Sequence, residues 1–219
     1  MKSPRYSLAG SPIPQEDLNA LAEWIKTNPW LTMGSLTRRF EEEFAVWLGR
    51  KHCVFTNSGS SALLLMWAAM KHLRTERTVT APALAWSTTI SSAMQLGFKI
   101  DLQDVDDATW GIATKQDCGI AVHMLGVPCG PWGHLLEDAC AALGSKQDGK
   151  KVGTTSWISA FSFFWNHQAS TVEGGMVTTY DDDAAEVLRI LRAHGWANDL
   201  TPEREAAWWS HYRGSLDDF

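Results

Sequence analysis

Apolar residues at Leu18, Leu21, Ala22 and Ile25 recur at three- and four-residue intervals and predict an amphipathic helix over 12–26, with Pro14 and acidic residues in its first turn. The period returns over 35–49, where Phe40, Phe44, Trp47 and Leu48 share a face and Gly49 offers a C-cap. Then the pattern changes. CVFTN (53–57) is a short apolar run of the kind that forms a buried strand, and after Ser-Gly-Ser-Ser the helical spacing resumes through His72. A strand at 78–82, a helix from Ser87 to Leu96 stopped by Gly97, and a strand around 98–105 follow. IAVHML (120–125), HLLEDA (134–139), ISAFSFF (158–164) and GMVTTY (175–180) predict four more strands. A helix over 182–195 has Asp residues at its dipole-positive start and Gly195 at its end. Strands separated by helices predict an α/β fold, a mostly parallel sheet sandwiched by helices.

Two stretches break the rhythm. Parallel neighbours need a crossover of a dozen or more residues, yet only GVPCGPWG (126–133) separates two of the strands. The tail PEREAAWWSHYRGSLDDF shows no closing element, leaving two tryptophans and a tyrosine in search of a surface to cover.

Composition narrows the class. With 45% hydrophobic and 20% charged residues over 219 positions, the chain can bury a full core. The longest apolar stretch, ALLLMWAAM, is shorter than a membrane span, and MKSPRYSLAG lacks a signal peptide's apolar run, so no membrane and a cytoplasmic location are expected. A net charge of −6 without a Lys/Arg block argues against nucleic-acid partners. The four cysteines, at 53, 118, 129 and 140, form no CxxC pair and read as reduced core thiols rather than metal ligands.

Four places can carry chemistry, each with a plain alternative. TNSGSSALLL runs a strand through Ser58, Gly59 and Ser60 into a helix start, where free N–H groups and the helix dipole suit a phosphate; an ordinary Ser N-cap reads the same way. Glu137 and Asp138 lie at the carboxyl end of a strand, where open α/β sheets bind ligands; there an acid can hold a proton on a heterocycle or cap a helix. Trp86, just past another strand end, can stack on a flat ligand or fill core. His167 follows the aromatic run FSFFWN, and a lone histidine there is a catalyst or a satisfied core residue.

Their order supplies what each lacks alone. NSGSSAL, then P-x-x-x-W-S-T-T, then EDACAALGSKQDGKKVG, then FSFF, two residues, His and EGGMV, ending in RAHGW, resembles the sugar aminotransferases of the DegT/DnrJ/EryC1/StrS type, fold type I of the pyridoxal-phosphate enzymes. The resemblance runs from about residue 7 to 198. It implies a cofactor-binding large domain across 1–219, with N-terminal helices (1–50), an α/β core (51–198) and a tail (199–219), without the family's small C-terminal domain. In that family the residue at position 167 is ordinarily the lysine that forms the Schiff base with the cofactor, which imidazole cannot form. A Lys-to-His exchange marks the branch of 3-dehydratases of nucleotide-linked 4-keto-6-deoxyhexoses, and HQASTVEGGM resembles its GDP-4-keto-6-deoxymannose version.

The resemblance implies pyridoxal or pyridoxamine phosphate bound without a covalent tether. Gly59, Ser60 and Ser162 would hold the phosphate, Ser58 would join them in binding the cofactor, Trp86 would stack on the ring, and Asp138 would face the pyridine nitrogen. His167 would be both base and acid. It further implies a homodimer, and an amine form regenerated by glutamate or, in other members, with the help of an iron–sulfur cluster; the four cysteines all lie before residue 141 without cluster spacing, so glutamate as amino donor and no metal are expected. An ordinary sugar aminotransferase would need a lysine where His167 stands, and Lys146, Lys150 and Lys151 read instead as a solvated turn around Asp148-Gly149. A shortened, inactive relative that binds the cofactor or a partner is the other reading, and Ala141 stands where relatives commonly carry Gln or Asp beneath the cofactor.

Overall fold

The structure is a computed structural model and describes residues 13–112, 118–130, 135–197 and 200–216. Its helices are α1 (Gln15–Lys26), α2 (Ser35–Leu48), α3 (Gly59–Leu73), α4 (Ser87–Gln95), α5 (Asp182–Arg192) and α6 (Pro202–Leu216). The strands are β1 (His52–Thr56), β2 (Thr78–Pro82), β3 (Lys99–Gln103), β4 (Ile120–Val122), β5 (Leu136–Asp138), the short pair β6 (Lys146–Gln147) and β7 (Lys150–Lys151), β8 (Ile158–Ser162) and β9 (Gly175–Thr179).

One sheet runs in the order β1–β9–β8–β5–β4, and a parallel bridge between Thr80 and Gly119 carries it on to the parallel pair β2–β3. Only β9 runs against its neighbours; β8, β5 and β4 are parallel to one another. This is the α/β architecture that the pattern predicts.

Period-two alternation explains how one sheet serves two cores. Val54, Ile158, Ala160 and Val177 face α3, α4 and α5, burying Leu63, Met66, Trp67, Met70 and Leu188. Cys53, Phe161 and Met176 face the opposite way, onto Phe44, Ala45 and Leu48 of α2. All five residues of β8 are buried, Ser159 and Ser162 included, as in a strand covered on both faces.

Several boundaries move. The strand expected over 120–125 stops at Val122, and a single 3₁₀ turn at Met124–Gly126 follows, with Leu125 at φ 52°. β4 and β5 are parallel neighbours, and no α-helix joins them among the described residues; 131–134, most of the connection's second half, lie outside those residues. The amphipathic helix expected over 12–26 forms as α1, which buries none of its side chains, with Leu18, Leu21 and Ile25 all exposed. One expectation is corrected. The tail does contain a closing element, α6, whose Trp208 packs on the first core beside His72. Strong helix formers and first-turn acids built α6 without the apolar period that would announce it.

Cys53 and Cys129 are buried and Cys118 and Cys140 half-buried, all as free thiols. Lys146, Lys150 and Lys151 form a hairpin, β6–β7, around Asp148 and Gly149, both at positive φ, and Lys151 lies over the Trp47 ring.

Candidate active site

The carboxyl ends of β1, β2, β5 and β8 lie at one rim of the sheet, where ligands bind in open α/β folds. Because β9 runs backwards, its first residue, Gly175, reaches the same rim.

At this rim α3 begins. Ser58 caps the helix, its Oγ accepting from Ser61 N at 3.1 Å, so the capping reading holds for this side chain. Helix geometry leaves the N–H groups of Gly59 and Ser60 without intrahelical acceptors, which is what an anion needs. Gly59 is pressed against β8: an added Cβ would lie 2.6 Å from Ser162 Cβ and 3.2 Å from Cys140 Sγ. Gly175 does the same for Ser58, since a Cβ there would lie 2.2 Å from Ser58 O. Close backbone approach thus locks together Ser58, Gly59 and Ser162, far apart in sequence.

The pleat separates the two acids of β5. Glu137 points toward the α2 side, into a row formed with Ser159 and Thr178 on the neighbouring strands. Its carboxylate accepts from His123 Nε2 (2.9 Å), Gly153 N (2.7 Å), Ser156 Oγ (2.7 Å) and Ser159 Oγ (3.1 Å). Burial opposes its charge, but these donors outweigh burial and bring the carboxyl down to about 2. Cys129 N donates to Nδ1 of His123 at 3.1 Å, which leaves Nε2–H to face Glu137. Buried Arg50 completes the network, donating to Ser156 O at 2.8 Å and Ser159 Oγ at 3.1 Å. Glu137 is therefore a fully bonded structural acid.

Asp138 points the other way, toward α4. It is 5% exposed, and its Oδ2 accepts from Thr89 Oγ1 at 2.6 Å while Oδ1 accepts from Cys140 N at 3.1 Å. One donor per oxygen leaves lone pairs for a further N–H. Trp86 sits at the N-cap of α4, 71% exposed, so the core reading of this indole is overturned. Two residues on, Thr88 Oγ1 accepts from Ser60 Oγ at 3.2 Å, placing the Trp86 turn beside the start of α3.

His167 lies in a turn beyond β8, its N–H bonded to Phe164 O at 2.9 Å and its ring edge-on to Phe164. It is half-buried. Burial lowers its pKa below 6.5, and the Asp138 charge, felt across the site, partly restores it. Gln168 ties the same turn to the exit of β5, donating to Ala141 O at 2.7 Å.

The model of the DegT/DnrJ/EryC1/StrS aminotransferase family matches residues 12–130 and 133–216, nearly the whole chain. The chain belongs to this family. It is 33% identical to GDP-4-keto-6-deoxy-D-mannose 3-dehydratase of Yersinia pseudotuberculosis over 98% of its length and 59% of that protein's. It is 32% identical to GDP-perosamine synthase of Caulobacter vibrioides, over 88% of the chain and 57% of the relative. Its fold superposes with a TM-score of 0.78, at 29% identity, on a crystal structure of GDP-4-keto-6-deoxymannose-3-dehydratase holding a trapped PLP–glutamate geminal diamine; the match covers 90% of this chain and 57% of that one. The chain spans less than two thirds of these relatives' lengths. The expected cofactor class, pyridoxal phosphate, agrees with that solved relative.

Membership of the DegT/DnrJ/EryC1/StrS family makes the fit to that cofactor worth testing on the residues themselves. The donor set fits: helix-start N–H groups and the Ser162 hydroxyl for a phosphate, a buried carboxylate with spare lone pairs for a ring nitrogen, and an exposed indole beside them. Thr88, Thr89 and Gln168 join the site although sequence reasoning passed over them. Thr88 and Thr89 stood inside the quoted P-x-x-x-W-S-T-T, and hydroxyls early in a helix that follows a strand end were the available signal.

Proposed function

We propose that this chain is a 3-dehydratase of a nucleotide-linked 4-keto-6-deoxyhexose in deoxysugar biosynthesis, using pyridoxamine phosphate held without a covalent bond. The reading is carried by His167, an imidazole with a burial-lowered pKa in electrostatic reach of Asp138, at the position where the family ordinarily has lysine. The cofactor supplies an amine that condenses with the C4 ketone and a ring that accepts electrons.

The chain's own groups do the rest. Ser60 and Gly59 N–H groups and Ser162 Oγ anchor the phosphate, with Ser58 shaping the turn. Trp86 covers the ring and Asp138 keeps its nitrogen protonated. His167, neutral at pH 7, takes a proton from the cofactor's C4′ carbon and delivers one to the hydroxyl leaving C3. Glutamate serves as amino donor, a choice supported by the adduct in the solved relative. A second copy of the chain covers the apolar surface of Trp30, Leu31 and Leu36.

Pyridoxal phosphate followed by borohydride tests the untethered site: mass spectrometry is expected to find no lysine adduct, and a trapped lysine overturns the reading in favour of an aminotransferase. His167→Asn is expected to keep cofactor absorbance and lose C3 deoxygenation by about 100-fold or more. Unchanged turnover removes His167 from the base role. A wild-type chain that binds the cofactor but leaves nucleotide 4-keto sugars untouched with glutamate present would instead be a cofactor-binding relative.

A further inference from the structure

We infer that Thr89 is the positioning residue that aims the Asp138 carboxylate at a ring nitrogen; the inference rests on the cofactor reading above. Thr89 is fully buried in the first turn of α4, and its Oγ1 donates to Asp138 Oδ2 at 2.6 Å. Its backbone is pinned as well, because Trp67 Nε1, from the core of α3, donates to Thr89 O at 3.0 Å.

The geometry divides the carboxylate's work. Cys140 N fixes Oδ1 from the strand side and Thr89 fixes Oδ2 from the helix side, so the plane of the carboxyl is set by two elements rather than by the Asp138 rotamer alone. Both bonds are donations to the carboxylate oxygens, and they leave its remaining lone pairs as acceptors for a ring N–H. The same turn carries Trp86 at its start and reaches the α3 cradle through Thr88 and Ser60. One turn of α4 therefore sets the spacing between a stacking ring, a phosphate cradle and a ring-nitrogen acid.

Pyridoxamine phosphate labelled with ¹⁵N in the ring, bound to the full chain, reads this directly through its affinity and its nitrogen signal. Thr89→Val keeps the volume and removes the donor. It is expected to weaken binding about tenfold and to move the nitrogen signal toward its unprotonated position, while Thr89→Ser stays within about twofold of wild type on affinity and keeps the signal. A purely structural threonine would move the melting temperature and leave the nitrogen signal where it is. If Thr89→Val leaves affinity and signal unchanged while Asp138→Asn loses both, Thr89 has no positioning role. If Asp138→Asn also binds like wild type, or wild type binds no cofactor, the cofactor reading itself falls. Should Thr89→Val fail to fold, Thr89→Cys, a weaker donor of similar size, gives the same two readouts, and unchanged values there overturn the assignment.

Discussion

Two adjacent acids, Glu137 and Asp138, show how much a single step along a strand decides. Both letters were visible as a pair at a strand end; which one would be free for a ligand was not, because that depends on the pleat and on Arg50, His123 and Ser159, which are isolated letters in the sequence. Removing Glu137 leaves Arg50 buried without its counter-charge. Glu137→Ala is accordingly expected to cost about 3–5 kcal/mol in chemical denaturation, whereas loss of an exposed pair such as Arg39–Glu43 changes little. The pH sign follows from the lowered carboxyl. Its contribution is complete above the ordinary 4.5 and is lost as pH falls from there toward 2, so the acid-unfolding midpoint of wild type lies in that window. A wild-type midpoint well above pH 5 would mean that another group governs acid stability. His167 runs the other way: burial disfavours its charged form, so the base is ready at neutral pH, and the acid limb of the proposed activity is expected below pH 6.5, with Asp138 the charge that limits the shift.

Among elements, the strands and helices that pack on the sheet were legible because their apolar periods match what they bury. α1 was legible as a helix but not as one whose apolar residues Leu18, Leu21 and Ile25 stay exposed among the described residues, since amphipathicity announces a face and not what covers it. The tail failed in the opposite sense, helix without period. The site's assembly was partly hidden too. The EGG of residues 173–175 is visible in the sequence as part of a family pattern; that Gly175 is what lets β9 touch the turn before α3 is not. Gly175→Ala would push Ser58 aside and is expected to lower pyridoxal phosphate affinity by about tenfold or more while the far-UV spectrum persists; retained affinity would show that the cradle does not depend on this contact.

Across the whole molecule, the carboxyl-end rim of a mostly parallel sheet collected the candidate residues Ser58, Gly59, Ser60, Trp86, Asp138, Ser162 and His167 from four stretches of sequence. Sequence order alone showed them as a list; strand direction turned the list into a place. The antiparallel β9 has a consequence in time. β1 pairs with it across more than a hundred intervening residues, Val54 opposite Val177, so the strand leading into the cradle has no neighbour on this side until β9 exists. A growing polypeptide therefore carries the candidate cradle for most of synthesis in an unfinished form, open to proteases and to stray partners. Chains halted at residue 174 are expected to be degraded quickly and to capture no B6 compound; a halted chain that resists trypsin like the finished one would show that the late strand is ornamental.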